Sequence, residues 1–181
     1  SAKHFAVNNQ ETRRHSTSAN LSMRALREIY LAAFEIVVKK SQPATIMHSY
    51  NRINGTNASN SAWLLNDILR EEWGYEGFVM SDWNAMYERA GSLEAGCELE
   101  MPASAGVRDR DIIDAVRSGR LDEKILDRAV LRILNVLLKY IPKGPGESVN
   151  LDNHHKIAAE VASECMVLLK NEKNLLPFAD G

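Results

Sequence analysis

The sequence predicts an α/β fold: the second half of a (β/α)8-type barrel, a linker, and the opening of another domain. Three observations predict it. Apolar runs too short for helices alternate with stretches of helical period, as in parallel strands joined by helices. Four such units fit in about half the length of a closed eight-unit barrel, which needs roughly 250 residues. A run of breakers, Pro142, Gly144, Pro145 and Gly146, forms the clearest linker, and an apolar helical pattern resumes beyond it. Four strands alone would also make a small open sheet. The strand starting almost at residue 1, and the new element cut off near residue 181, favour a piece of something larger. The expected boundaries are a partial barrel over 1–140, a linker over 141–152 and a second domain from 153 to 181.

The first unit shows only a strand remnant over 3–7, then a polar stretch over 8–20 with neither helical nor strand period. Leu26, Ile29, Tyr30, Ala33, Phe34, Val37 and Val38 then mark one face of a helix, with Ser22 placed to cap it. Pro43 separates off a second strand over 44–50, followed by turn residues 51–57. Trp63, Leu64, Ile68 and Leu69 mark the next helix, which stops before Gly74. The third strand is Gly77-Phe78-Val79-Met80-Ser81-Asp82, and a helix is expected through Met86 to Leu93. Residues 96–102 read as a fourth short strand. Ile112, Ile113 and Val116 precede a Ser118-Gly119 stop. Asp122 then caps a long helix whose stripe, Ile125, Leu126, Ala129, Val130, Ile133, Leu134, Leu137 and Leu138, is expected to pack on the barrel. Past the linker, Asp152 opens a helix with Ile157, Ala158, Val161, Ala162 and Cys165 facing inward, and 167–169 turns toward a strand.

Composition narrows the function classes. The 181 residues are 45% hydrophobic and 25% charged, ordinary for a globular chain. A net charge of -2 gives no reason to expect nucleic acid or an anionic membrane as partner, and no stretch is long and apolar enough to span a bilayer. The first residues have neither the charged start nor the apolar segment of a signal peptide. Cys97 and Cys165 fit no metal-ligand spacing and lie among apolar neighbours, so both are expected as buried free thiols, which fits a reducing, cytoplasmic compartment. His154 and His155 are adjacent on a helix, about 100° apart, with no third ligand in view, so no metal or cofactor is expected.

In parallel sheets catalytic groups gather at the carboxyl ends of the strands, where Asp82 stands. A carboxylate ending a buried strand is costly unless paired or functional, though it also suits a cap for the following helix. The other strand ends and their loops offer Lys3, His4, Arg14, Met47, Tyr50 and Trp83. Lys3 and His4 suit either ligand binding or a solvated chain end, and Tyr50 either a site or a packed rim. Donors, one carboxylate and an aromatic plate together describe a sugar pocket, because sugars present many hydroxyls and a weakly polar ring face. Cationic neighbours would keep Asp82 ionised, the state a nucleophile needs. A Schiff-base lyase using Lys3 is a different class, but no apolar pocket is evident around that lysine. Glu98 and Glu100 share one strand face and receive no catalytic role.

Lys3-His4-Phe5, Asn8-Asn9-Gln10-Glu11-Thr12, Arg14, Met47 with Tyr50-Asn51, Asn54-Gly55 and Gly77-Phe78-Val79-Met80-Ser81-Asp82-Trp83 together resemble glycoside hydrolase family 3, in its β-glucosidase branch. The resemblance runs from the first residue to Phe178. It implies Asp82 as catalytic nucleophile, Lys3 and His4 as binders of sugar hydroxyls in subsite −1, and Arg14, Met47, Tyr50 and Trp83 as further lining of that subsite. It implies a second domain that is an α/β sandwich and supplies the general acid/base as a glutamate outside this chain. The β-N-acetylglucosaminidase branch carries an Asp-Ser-His-type loop whose histidine is the acid. Here the stretch is Glu11-Thr12-Arg13-Arg14-His15-Ser16, so His15 is expected to be exposed and uninvolved as an acid. The implied partners are a β-glucoside or short β-gluco-oligosaccharide and the remainder of the same enzyme. The implied activity is retaining hydrolysis by that enzyme, this chain alone being inactive; a sugar-binding or structural fragment without catalysis is the alternative.

Overall fold

The computed structural model describes residues 1–178 except Lys143, Pro145 and Glu147. It divides into two compact units, Ser1–Ile141 and Pro142–Gly181. In the first, β1 (Ala2–Phe5) and β2 (Ser18–Ala19) are followed by α1 (Met23–Ala25), which runs through a π-helical turn, Leu26–Tyr30, into α2 (Ala32–Ser41). Next come β3 (Thr45–His48), β4 (Arg52–Ile53), β5 (Thr56–Asn57), a π-helix Trp63–Glu72 and β6 (Phe78–Met80). The helices α3 (Arg89–Ala95), α4 (Asp109–Arg117) and α5 (Glu123–Tyr140) complete it. The second unit holds α6 (Leu151–Cys165).

β1, β3 and β6 pair in parallel and in chain order, as successive strands joined by helices must when each packs beside the last. Ile46 and Val79 face each other across β3 and β6 and are fully buried with Phe5, Leu26, Leu31, Val38, Leu64, Leu65, Ile68 and Leu69. Each such Leu or Ile contributes about 1.5–3 kcal/mol of transfer free energy. The next register pair, Met47 and Met80, points to the opposite face and is only partly buried. A Cβ at Gly77 would collide with the Ala44 carbonyl and the Tyr75 hydroxyl, so only glycine can start β6 this close to its neighbour.

The fourth strand shrinks to one parallel bridge, Met80 to Leu99. The ladder does continue, with Ser81 N–H donating to Leu99 O (2.9 Å), but Glu98 and Leu99 N–H both converge on Val79 O, which breaks regular pairing. The helix expected at Met86 starts at Arg89 instead, because the Glu88 side chain accepts from Ala90 and Gly91 N–H and caps it there. The polar stretch 8–20 contains β2, which pairs with β4 and, through it, with β5. Two residues are too short to leave an alternation in sequence. The β4–β5 turn, Asn54-Gly55, has positive φ at both residues (48° and 91°), as a two-residue hairpin of matching twist requires.

Ser22 caps α1 as expected, accepting from Ala25 N–H at 3.2 Å. The expected inward face fails in part: Ile29 and Val37 are exposed, whereas Leu31 is buried. The π-turn between Leu26 and Tyr30 takes an extra residue and rotates α2 relative to α1, which a constant helical period misses. Asp122 caps α5 through Lys124 N–H (3.0 Å), and Ile125, Leu126 and Ala129 of its stripe pack against Leu93, Ala115 and Leu121, with Ile133 half-buried. Val130, Leu134, Leu137 and Leu138 are exposed. At 18 residues α5 is far longer than the 7 and 9 residues of α3 and α4 that it packs on.

In the second unit Asn150, not Asp152, caps α6, accepting from Asn153 N–H at 2.9 Å. Ile157, Val161 and Cys165 are exposed rather than inward, and 167–169 is not a strand. The expectation of two buried thiols therefore holds for Cys97 alone. An amphipathic helix buries its stripe only against a partner element, and a strand needs a paired neighbour.

Candidate active site

Asp82 stands two residues past β6. Because Ser81 still pairs with Leu99, the strand's alternation carries Asp82 to the face of Met47 and Met80, away from the packed helices. It is 6% exposed. Its Oδ1 accepts from the Tyr50 hydroxyl (2.9 Å) and from Trp83 N–H (2.7 Å). Its Oδ2 is buried and accepts no hydrogen bond among the described residues, with His4 Nε2 at 3.4 Å. The helix-capping reading of Asp82 fails, because the next helix is capped by Glu88. One oxygen is held and the other is left free, an arrangement suited to an atom that must form a bond.

Tyr50 ends the second expected strand and is 5% exposed, with its hydroxyl donating to Asp82 rather than packed on a rim. Burial raises its hydroxyl above the ordinary tyrosine value, and the Asp82 hydrogen bond adds to the effect. It therefore stays a protonated donor. The Arg14 guanidinium lies 4.0 Å from the centre of the Tyr50 ring, a cation–π distance, and pairs with Glu11 at 2.6 Å. His4 joins the group from β1, whose Lys3–His4 and Phe5–Ala6 peptides are cis. Trp83 contributes its backbone N–H to Asp82 while its ring is 57% exposed, a plate open to solvent. Lys3 is exposed, and Met47 lies on the same face as Asp82, paired with Met80. Asp82, His4, Arg14 and Tyr50 are thus brought together; Trp83 and Met47 flank them, and Lys3 is exposed on β1.

Sequence reasoning missed three neighbours. His15 is exposed, as expected, yet its ring packs edge-on against Tyr50 at 4.6 Å. Tyr87 donates to His15 O at 2.6 Å, with Tyr50 O at 3.3 Å. His48, two residues before Tyr50, is fully buried on the helix face, with Nδ1 2.9 Å from Ser49 O and Nε2 unpartnered. Burial lowers its pKa to about 4, against the opposing pull of the Ser49 carbonyl and of Asp82. Only the strand-end position of His48 was visible in sequence, and no local pattern marked the other two.

A cavity of about 380 Å³, lined by Gln42, Ala44, Gly77 and Tyr140 among others, lies at the amino ends of β3 and β6, opposite Asp82. A second, about 220 Å³, sits under the polar loop beside Asn8, Ser18 and Asn51. Among the described residues no group of three or more His, Cys, Asp or Glu is placed to hold a metal.

The glycosyl hydrolase family 3 N-terminal domain matches residues 1–136. The chain belongs to glycosyl hydrolase family 3. It is 48% identical over 177 residues to the thermostable beta-glucosidase B of Acetivibrio thermocellus, covering 97% of this chain and 23% of that protein. It is equally 48% identical to an exo-alpha-(1->6)-L-arabinopyranosidase of Bifidobacterium breve, over 100% of this chain and 24% of that one. The crystal structure of a β-glucosidase of the same family from Bifidobacterium adolescentis superimposes with a TM-score of 0.83 at 50% identity, over 97% of this chain and 26% of that one. The chain thus spans about a quarter of the length of the relatives it matches. Its parallel α/β architecture is that of this family's first domain.

Proposed function

We propose that this chain carries the nucleophile of a retaining exo-glycosidase that releases terminal β-D-glucosyl residues, the acid/base coming from another part of a longer polypeptide. Residues 1–140 are then the later part of its barrel and 153–181 the start of its second, sandwich domain. The observation that carries the reading is the asymmetry of Asp82: Oδ1 accepts two hydrogen bonds and Oδ2 none.

In the proposed reaction Asp82 Oδ2 bonds to the anomeric carbon as the glycosidic C–O bond breaks through an oxocarbenium-like transition state. The leaving oxygen takes its proton from the second carboxyl, roughly 5–5.5 Å from the first in retaining enzymes. That group then takes a proton from water, the hydroxide oxygen bonds to the anomeric carbon, and Asp82 leaves as a carboxylate. Tyr50 and Trp83 N–H hold Oδ1 throughout, fixing the lone pair of Oδ2 on its path. Lys3, His4 and Arg14 are assigned to the sugar hydroxyls, and Met47 and Trp83 to its apolar face.

The test is a 2-deoxy-2-fluoro-β-glucoside given to the full-length protein, followed by peptide mapping. Label on Asp82 is expected; label on any other residue would falsify the assignment. A second reading, α-L-arabinopyranoside hydrolysis, is favoured by the arabinopyranosidase relative at the same identity. Comparing kcat/KM for the aryl β-glucoside and the aryl α-L-arabinopyranoside separates them.

A further inference from the structure

Tyr50 is the donor that holds Asp82, and its ring has to be held in turn. Two side chains do so: the Arg14 guanidinium at 4.0 Å and the His15 ring at 4.6 Å, inclined by 69°. Both come from one turn of the polar loop. The turn itself is closed by Arg14 N–H to Glu11 O and by Ser16 and Thr17 N–H to Arg13 O, and its exit is anchored by Arg52 N–H donating to Thr17 O (2.9 Å), where β2 meets β4. The local bonds shape the turn, and the strand pairing fixes its exit two residues past His15.

At the ring-bearing residues themselves the tie across the chain comes from Tyr87, 72 residues away in sequence, whose hydroxyl donates to His15 O at 2.6 Å. The Tyr50 carbonyl, at 3.3 Å, is a second and longer acceptor for the same proton. Tyr87 itself is well placed to act as a post. It lies on the segment between Asp82 and α3, which is anchored by Ala85 N–H to Asp82 O (3.0 Å), Asn84 N–H to Met101 O (3.0 Å) and Arg108 to Met86 O (2.9 Å). The segment that bears the carboxylate thus also bears the hydroxyl that pins the Arg14–His15 turn.

We infer that Tyr87 is a positioning residue: it holds the Arg14–His15 turn against the Tyr50 ring and so sets the Tyr50 hydroxyl on Asp82. The inference rests on the reading of Asp82 as the nucleophile. The Tyr87 hydroxyl bonds to His15 O and Tyr50 O, not to Asp82. A hydrogen bond of this kind acts on geometry, and small misplacements of a reacting group are costly in rate.

The experiment is a double-mutant cycle in the full-length protein with Tyr87→Phe and Tyr50→Phe, read as the rate constant of inactivation by the fluoro-glucoside. Tyr87→Phe keeps the ring and removes only the hydroxyl at a partly exposed position. The expected result is a fall of about fivefold to tenfold for Tyr87→Phe alone, shrinking to less than twofold in the Tyr50→Phe background. His15→Ala, which keeps the carbonyl but removes the ring edge, is expected to give a smaller fall that also vanishes without the Tyr50 hydroxyl. An unchanged rate in Tyr87→Phe, with the label on Asp82, overturns this inference alone. So does a fall that multiplies in full with Tyr50→Phe, since Tyr87 would then act elsewhere. Label on another residue overturns the functional reading and this inference with it.

Discussion

Asp82 and Glu98 are both buried carboxylates beside β6, and they are treated in opposite ways. Glu98 accepts from Arg70 at 2.8 and 2.9 Å, from Arg132 at 2.7 Å and from Val79 N–H at 2.7 Å. It ties the Trp63–Glu72 helix and α5 to the strand, and neither oxygen is spare. Asp82 faces one histidine at 3.4 Å, two donors on one oxygen and none on the other. A buried carboxylate that is fully paired stabilises a fold; one left half-paired is costly, and that cost is tolerated where the free oxygen has work to do. The arginines lie on Glu98, not on Asp82, where the sequence suggests cationic support.

Replacement of the two carboxylates breaks the contrast most directly. Asp82→Asn in the full-length protein is expected to lower kcat on an aryl β-glucoside by about 10⁴-fold or more, with little change in melting temperature. Retention of more than a hundredth of the activity would sink the contrast. Glu98→Ala should do the reverse and cost about 3–5 kcal/mol of stability, because the buried Arg70 and the half-buried Arg132 lose the carboxylate they share. Chemical denaturation checks it.

His48 sharpens the contrast from the other face of the sheet. Its native pKa of about 4 lies below the ordinary 6.5, so the unfolded chain takes up a proton first as pH falls. Its neutral, buried state therefore costs nothing above pH 6.5. Stability declines from there to pH 4, by about 3 kcal/mol in all. His48→Gln is expected to flatten that limb in melting temperature against pH; an unchanged slope would place the acid sensitivity elsewhere. A smaller effect is expected of Tyr50→Phe, which removes one hydrogen bond to a charged oxygen, worth about 1.5–3 kcal/mol, and so slows glycosylation about 10- to 100-fold. The fluoro-glucoside inactivation rate measures it.

Much of this is legible in the residues. The 77–82 run is short, apolar and bounded by glycine, so a buried strand with an acid at its carboxyl end can be read from six letters. Ser22, Asp122 and Gly74 mark helix ends through chemistry confined to one turn of chain. The errors share a different cause. The π-turn at Leu26–Tyr30, the unpacked half of α5 and the exposed Cys165 all depend on what lies beside the element, not on the element's own pattern. Tyr50 is ambiguous in sequence for the same reason, its decisive partner being 32 residues away. Glu98 shows no role in its own neighbourhood of sequence, because Arg70 and Arg132 reach it from 28 and 34 residues away.

By itself the sequence determined the order of parallel units, the family to which the chain belongs, and the acid standing at the end of its third strand. Those are local matters: period, capping groups and motifs are written in neighbouring residues. Which oxygen of that acid is held, which ring holds its donor and which carboxylate the arginines neutralise were decided only in three dimensions. Hydrogen bonds and ion pairs form between groups that folding brings within about 3 Å, whatever their separation along the chain.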